Sequence, residues 1–337
     1  MMILEKLLSS QNLRREEAYG MMKETMEGKL PSSQVASFLT ALTIKGEAAP
    51  EIAGMAEAMR EKSRQLPIEK SLEAVDNCGT GGDGKNTFNV STTAALIAAG
   101  AGAKIAKHGN RSVTSRCGSA DLLEELGVKV EMEPEEAIHY LTKYHFAFLY
   151  APYYHRAMRH VASTRKELGF STAFNLLGPL TNPAGVKRQV IGVSRPECLQ
   201  LLAETCLLLK SEHVLLIHGG DGSDELSLQG ENRILEVKAG KISELSIKAS
   251  SLGLSSPSAA NARDIRGGSP EINAAITRKV LFGHHGPSRD LSLLNTAAVL
   301  MVSGKAQTLE AGLEQAAKSI DQGKAYQVLE NLRNEVK

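Results

Sequence analysis

Hydrophobic periodicity changes at Pro67, and that change narrows the possible folds. Before it, apolar residues recur at helical spacing over 3–9, 14–28, 32–45 and 50–64, separated by Ser-Ser, Gly-Lys-Leu-Pro and Gly-Glu-Ala-Ala-Pro. Ser32 precedes one of these patterns, and Pro50 suits a first helical turn, where its missing N–H costs nothing. After Pro67, short apolar runs at 74–78, 103–108, 147–150, 188–193 and 213–219 alternate with helical stretches at 89–101, 119–126, 134–143, 152–168 and 196–209. Strands separated by helices pair in parallel through crossovers. The expected class is therefore α/β. A small N-terminal all-helical domain (1–66, joined by part of 165–187) would stand beside a larger α/β domain (67–337) with a mostly parallel central sheet covered by helices. Residues 225–248 predict a short meander turning at Gly-Glu-Asn and Ala-Gly-Lys, and helices return from about 271.

Charge and cysteine usage exclude several partners. Against 38 acidic residues stand 39 Lys and Arg, a formal net charge of +1. That balance gives no general attraction to nucleic acid or anionic membrane. No stretch approaches the roughly 20 apolar residues of a membrane span. The opening MMILEKLLSS is too short and too soon charged for a secretory leader. Cys78, Cys117, Cys198 and Cys206 form no C-x-x-C pair and are too few and scattered for a disulfide framework. The expectation is a reduced, cytoplasmic protein with small-molecule partners, binding neither nucleic acid nor membrane.

Two loops carry the chemistry. Residues 76–92, DNCGTGGDGKNTFNVST, run from an apolar strand through Gly79, Gly81, Gly82 and Gly84 into a helix opening at Asn89. Glycines let backbone N–H groups approach a ligand, while Asn89, Ser91 and Thr92 put polar groups at a helix N-terminus that favours phosphate. The motif is neither a dinucleotide fingerprint nor a Walker loop. One strand later, residues 107–119, KHGNRSVTSRCGS, repeat the arrangement. A strand is expected to end at Lys107, and Ser119 is expected to cap the next helix. Both loops leave the same edge of a parallel sheet, where ligands bind in open α/β folds. Loop flexibility is the plain alternative for the first and a solvated basic loop for the second; two donor-rich loops in succession favour a polyanion site.

With these segments in view, the chain resembles the anthranilate phosphoribosyltransferases. The matching segments are GTGGD (79–83), NVST (89–92), KHGNRSVTS (107–115), GSADLLEELG (118–127), HRAMRHVASTRKELG (155–169), FNLLGPLTNPAG (174–185), HGGDGSDELS (218–227) and LLNTAAVL (293–300). They run nearly end to end and in order. The resemblance implies phosphoribosyl transfer from phosphoribosyl pyrophosphate to the amine of anthranilate, with Mg2+ as cofactor, in a homodimer formed through the N-terminal helical domain. On the donor side it implies Gly79, Thr80, Gly82, Asp83, Thr87, Asn89, Val90, Ser91 and Thr92. Lys107, His108, Gly109, Asn110, Arg111, Ser112, Val113, Thr114, Ser115 and Ser119 would complete the donor site. Gly79, Asn110, His155 and Arg165 would hold anthranilate, with the guanidinium gripping its carboxylate. Ser91, Asp224 and Glu225 would hold the metal, since adjacent carboxylates are hard oxygen ligands suited to Mg2+.

An aryl amine is already neutral near pH 7. No residue is therefore expected to act as a covalent or acid–base catalyst, with at most a minor proton-accepting role for His108. GPLTNP (178–183) reads as a rigid connection between domains. Three positions depart from the usual pattern: Ser163-Thr164 stand where Pro-Val is common, Ser171 where Arg is frequent, and Cys117 where Ser is common. Two rivals remain: a pyrimidine nucleoside phosphorylase-like enzyme, which needs no Asp-Glu pair, and a non-catalytic relative binding nucleic acid, which needs a strongly basic groove.

Overall fold

A computed structural model of the chain describes residues 3–69, 72–112, 116–255 and 265–335. Helices α1 (Ile3–Leu8), α2 (Arg15–Met26), α3 (Ser32–Lys45) and α4 (Ala49–Glu61) come first. There follow β1 (Val75–Gly79), α5 (Val90–Gly100), β2 (Ile105–Gly109), α6 (Ser119–Glu125), α7 (Pro134–Tyr144) and β3 (Phe146–Tyr150). Short helices α8 (Ala151–Tyr154), α9 (Ala162–Leu168) and α10 (Phe174–Leu177) lead to β4 (Arg188–Gly192), α11 (Cys198–Leu208) and β5 (His213–His218). A hairpin, β6 (Asn232–Lys238) and β7 (Lys241–Ile247), precedes α12 (Pro270–Leu281), α13 (Pro287–Val302), α14 (Leu309–Asp321) and α15 (Lys324–Asn334).

The seven strands form one sheet, ordered β3-β2-β1-β4-β5-β6-β7. Pairing from β3 to β5 is parallel; β6 and β7 are antiparallel. Parallel strands are covered on both faces, which is why their sequences are apolar runs without alternation. The pleat sends neighbours to opposite cores. Val190, Leu215 and Ile217 pack toward α5 and α13–α15, while Ile191, Val193, Val214 and Leu216 pack with α4, α10 and α11. The first four helices thus share a core with one face of the sheet, and Phe38, Leu42 and Ile52 in it are fully buried. Each such side chain contributes roughly 2–3 kcal/mol of burial.

Four local expectations are corrected. Residues 152–168 form not one helix but α8, a 3-10 turn at Arg156–His160 and α9. The break falls at His155, whose backbone leaves the helical region (φ −105°, ψ 58°) as its ring is buried. Residues 225–229 form no strand. Asn232 accepts from the N–H groups of Gly220 and Ser227 and donates to the Ser227 and Ile247 carbonyls, satisfying backbone that a strand would have paired. The turn expected at Ala-Gly-Lys does form, with Ala239 and Gly240 both at positive φ, as a two-residue hairpin demands. Strand β2 continues through Gly109, past Lys107. Gly118, not Ser119, occupies the N-cap of α6; Ser119 Oγ donates to the Asn110 carbonyl instead.

Candidate active site

From β1 the chain winds outward to β2 and β3, then returns to place β4 on the other side of β1. Loops leaving β1 and β4 therefore diverge, and a crevice opens at the carboxyl ends of these strands. A cavity of about 710 Å3 occupies it. Gly79, Asn89, Ser91, Thr92, Lys107, His108, Gly109, Asn110 and Ser119 line one wall; Met59, His155, Arg156, Met158, Arg159, Arg165 and Phe174 line the other.

Behind the first wall lies a smaller cavity of about 50 Å3, bordered by Gly79, Ser91, Gly192, Asp224 and Glu225. Backbone fixes both carboxylates. Gly81 N–H donates to Asp224 Oδ2 at 2.9 Å, and Ser91 N–H to Glu225 Oε1 at 3.0 Å. Asp224 reaches this position because the strand ends beside it are glycines: a Cβ at Gly79 would overlap its carboxylate, and one at Gly192 its carbonyl. Burial, then the nearby Asp83, raises Asp224 to about 6; burial, then Asp224, pushes Glu225 well above its ordinary value. Burial and mutual repulsion make two such charges costly, and a cation bound between them would relieve both.

Among the described residues, no three His, Cys, Asp or Glu side chains converge as a metal cage. Two carboxylates beside a phosphate loop nonetheless fit Mg2+, which takes one or two carboxylates and completes its shell with water and substrate phosphate. The Thr92 hydroxyl is buried and unpartnered at the first turn of the eleven-residue α5, within the large cavity. Hydroxyl and helix N-terminus together suit a phosphate oxygen.

On the opposite wall the Arg165 guanidinium stacks 4.9 Å from the Phe174 ring centroid, and burial lowers its pKa. No acidic side chain among the described residues pairs with it. An aromatic carboxylate would find an apolar slot and an unspent cation there.

Sequence comparisons agree from end to end. The Glycosyl transferase family, helical bundle domain matches residues 1–63, and the Glycosyl transferase family, a/b domain matches residues 71–326. Anthranilate phosphoribosyltransferase of Pelotomaculum thermopropionicum is 46% identical over 98% of this chain and 94% of its own length. The chain belongs to the anthranilate phosphoribosyltransferase family. Its fold superposes on the family's crystal structure from Thermus thermophilus with TM-score 0.93 and 43% identity, covering 100% of this chain and 99% of that one. The Saccharomyces cerevisiae member, in complex with PRPP and Mg, superposes with TM-score 0.88 and 30% identity over 99% and 96% of the two chains.

Not every residue implied by the family resemblance faces the large cavity. Thr80 ties the first loop to β4: its N–H donates to the Gly192 carbonyl, and its hydroxyl accepts from Ser194 N–H. With Gly82 and Ser171 it borders a separate cleft of about 90 Å3. Asp83 lies beside Asp224, and Thr87 pairs with Arg266. Val90 is buried in the core, and its N–H donates to the Phe88 carbonyl. Arg111 is held by Glu124 and Asp121, and Ser112 N–H donates to Asp121. Val113, Thr114 and Ser115 lie outside the described residues. Among the departures, Ser163 and Ser171 are exposed and Thr164 is buried; none of the three lines the large cavity. Cys117 does line it.

Burial and the neighbouring ring bring His108 to about 3, and burial brings His155 to about 4. The rings, 5.1 Å apart, are neutral, and the Nε2 atoms of both are buried without partners. Sequence reasoning missed Asp76, the fully buried hub beneath the site. It accepts from His108 N–H, Asn182 Nδ2 and the Cys78 thiol, while Lys107 Nζ donates to the Asn77 carbonyl at 2.6 Å. An acid inside the apolar run AVDNC was the available signal. Arg156 and Arg159, which were not among the expected site residues, also line the cavity.

Proposed function

We infer that this protein is a pentosyltransferase that moves the phosphoribosyl group of 5-phosphoribosyl 1-pyrophosphate onto the amine of anthranilate. The products are N-(5-phosphoribosyl)anthranilate and pyrophosphate, a step of tryptophan biosynthesis. One observation carries the reading: an unpaired, ring-stacked Arg165 lines a crevice whose opposite wall, at Gly79 and Ser91, backs onto a backbone-fixed carboxylate pair.

The donor would lie along Gly79, Thr80, Gly82, Asp83, Asn89, Ser91 and Thr92, with Lys107 and Ser119 on its other side. The Lys107 ammonium offers a point charge to phosphate, and hydroxyls offer adaptable donors. Ser91, Asp224 and Glu225 would hold Mg2+, which neutralises charge on the departing pyrophosphate. Arg165 would grip the acceptor carboxylate, while Gly79, Asn110 and His155 orient the ring so that its nitrogen lone pair faces the anomeric carbon. That lone pair forms the C–N bond as the C–O bond to pyrophosphate breaks, and the nitrogen then sheds a proton. Positioning and electrostatics supply the acceleration; two neutral histidines supply orientation.

We also propose that residues 1–66, with part of 165–187, act as one helical domain against 67–337, and that two copies meet through it. Leu8 and Ile44, apolar and exposed on α1 and α3, support that contact. None of the described helices is long and apolar enough to cross a membrane, and a cytoplasmic location fits a biosynthetic enzyme.

The direct test follows anthranilate fluorescence after adding phosphoribosyl pyrophosphate and Mg2+ to purified protein. Signal loss requiring all components supports the transfer. No loss, with donor binding intact by calorimetry, would reject anthranilate as acceptor.

A further inference from the structure

The phosphate loop is stitched to a distant part of the chain. Gly267 N–H donates to the Asn86 carbonyl and Phe88 N–H to the Ile265 carbonyl, with Thr87 and Arg266 bridged between them. At the end of this seam stands Asn273, in the first turn of α12 and 2% exposed. Its Oδ1 accepts from Gly268 N–H at 2.8 Å, and its Nδ2 donates to Asn89 Oδ1 at 2.7 Å. Asn89 Nδ2 in turn donates to the Cys117 carbonyl at 3.1 Å, on the second ligand loop.

This chain of bonds has one polarity. Gly268 N–H can only donate, so Asn273 must present its oxygen there and its amide nitrogen to Asn89. Asn89 must then present oxygen to Asn273 and nitrogen to Cys117, whose carbonyl can only accept. An amide nitrogen carries two N–H groups, and one remains for the cavity that Asn89 lines. Flipped, Asn89 would turn an oxygen toward an anionic ligand. We propose that Asn273 is a positioning residue for the donor: it locks the Asn89 amide with a donor facing phosphate and couples the two ligand loops through it. The assignment rests on the phosphoribosyl reading of the cavity.

Asn273→Ala is expected to raise the KM for phosphoribosyl pyrophosphate about tenfold, while the KM for anthranilate stays within about twofold. In an Asn89→Ala background the same substitution should add nothing. Thr277→Val, one turn later and hydrogen-bonded to Thr93 rather than Asn89, should lower Tm without splitting the two KM values. Should Asn273→Ala fail to fold, the isosteric Asn273→Asp keeps the acceptor for Gly268 and removes the donor to Asn89, so the same split is expected. Equal rises in both KM values, or a full additional loss in the Asn89→Ala background, would overturn the lock. Calorimetry of phosphoribosyl pyrophosphate with Mg2+ on the unaltered protein separates the two readings. No binding there defeats the phosphoribosyl assignment, whereas normal binding that Asn273→Ala leaves unchanged defeats the lock alone.

Discussion

The two walls of the crevice are built by different means. Groups proposed for the donor stand on strand ends and on the eleven-residue α5, with carboxylates fixed by backbone N–H groups and buried. Groups proposed for the acceptor stand, Met59 apart, on helical pieces of four, five and seven residues, and Arg156 and Arg159 reach solvent. Phosphate and metal need several donors in fixed register, which strand ends provide. An aromatic acid needs a slot and a cation, which short helices provide. The donor half should therefore tolerate little change, and the acceptor half much more.

The largest effect expected is from Asp224→Asn. Turnover should fall about a hundredfold, the scale of losing one electrostatic stabiliser, with a weakened response in a Mg2+ titration. An unchanged titration would remove Asp224 from the metal site. Gly192→Ala should come next, because its Cβ would overlap the Asp224 carbonyl. Metal response should drop with Tm, and a variant that keeps both would show that this strand end can give.

Arg165→Ala probes the looser wall. It should raise the KM for anthranilate about tenfold and leave calorimetric donor binding intact; equal weakening of both ligands would erase the distinction between walls. The smallest effect concerns pH. His108 and His155 titrate at about 3 and about 4 when folded, against 6.5 when unfolded, so the folded protein binds fewer protons between these values. Their stabilising contribution is complete above about 6.5 and is lost as pH falls toward 4, readable as a declining Tm. The kcat/KM profile should show no imidazole step near 6.5. A step abolished by His155→Gln would return acid–base chemistry to that wall.

The same contrast explains what could be read from the chain. Strand–helix alternation and glycine-rich loops are local signals, so the sheet, α5 and the polar cluster at Asn89, Ser91 and Thr92 were legible. Helix breaks between β3 and β4 were not, because His155 leaves the helix to bury its ring against a strand far away in sequence. Asp76 reads as one of two polar residues in a short strand until Asn182 and His108 arrive from elsewhere to bond it. The 225–229 segment alternates like a strand, and only the Asn232 side chain decides otherwise.

The wall opposite the glycine loops is contributed by Met59 and one uninterrupted stretch between β3 and β4. His155, Arg165 and Phe174 all fall within it, whereas the phosphate loop and the carboxylates lie outside. Such an arrangement is modular in heredity as well as in space. A single segmental exchange in that interval could bring in a new nucleophile pocket while leaving the machinery that activates the sugar untouched, a short route by which one ancestral ribosyl donor site could come to serve several acceptors.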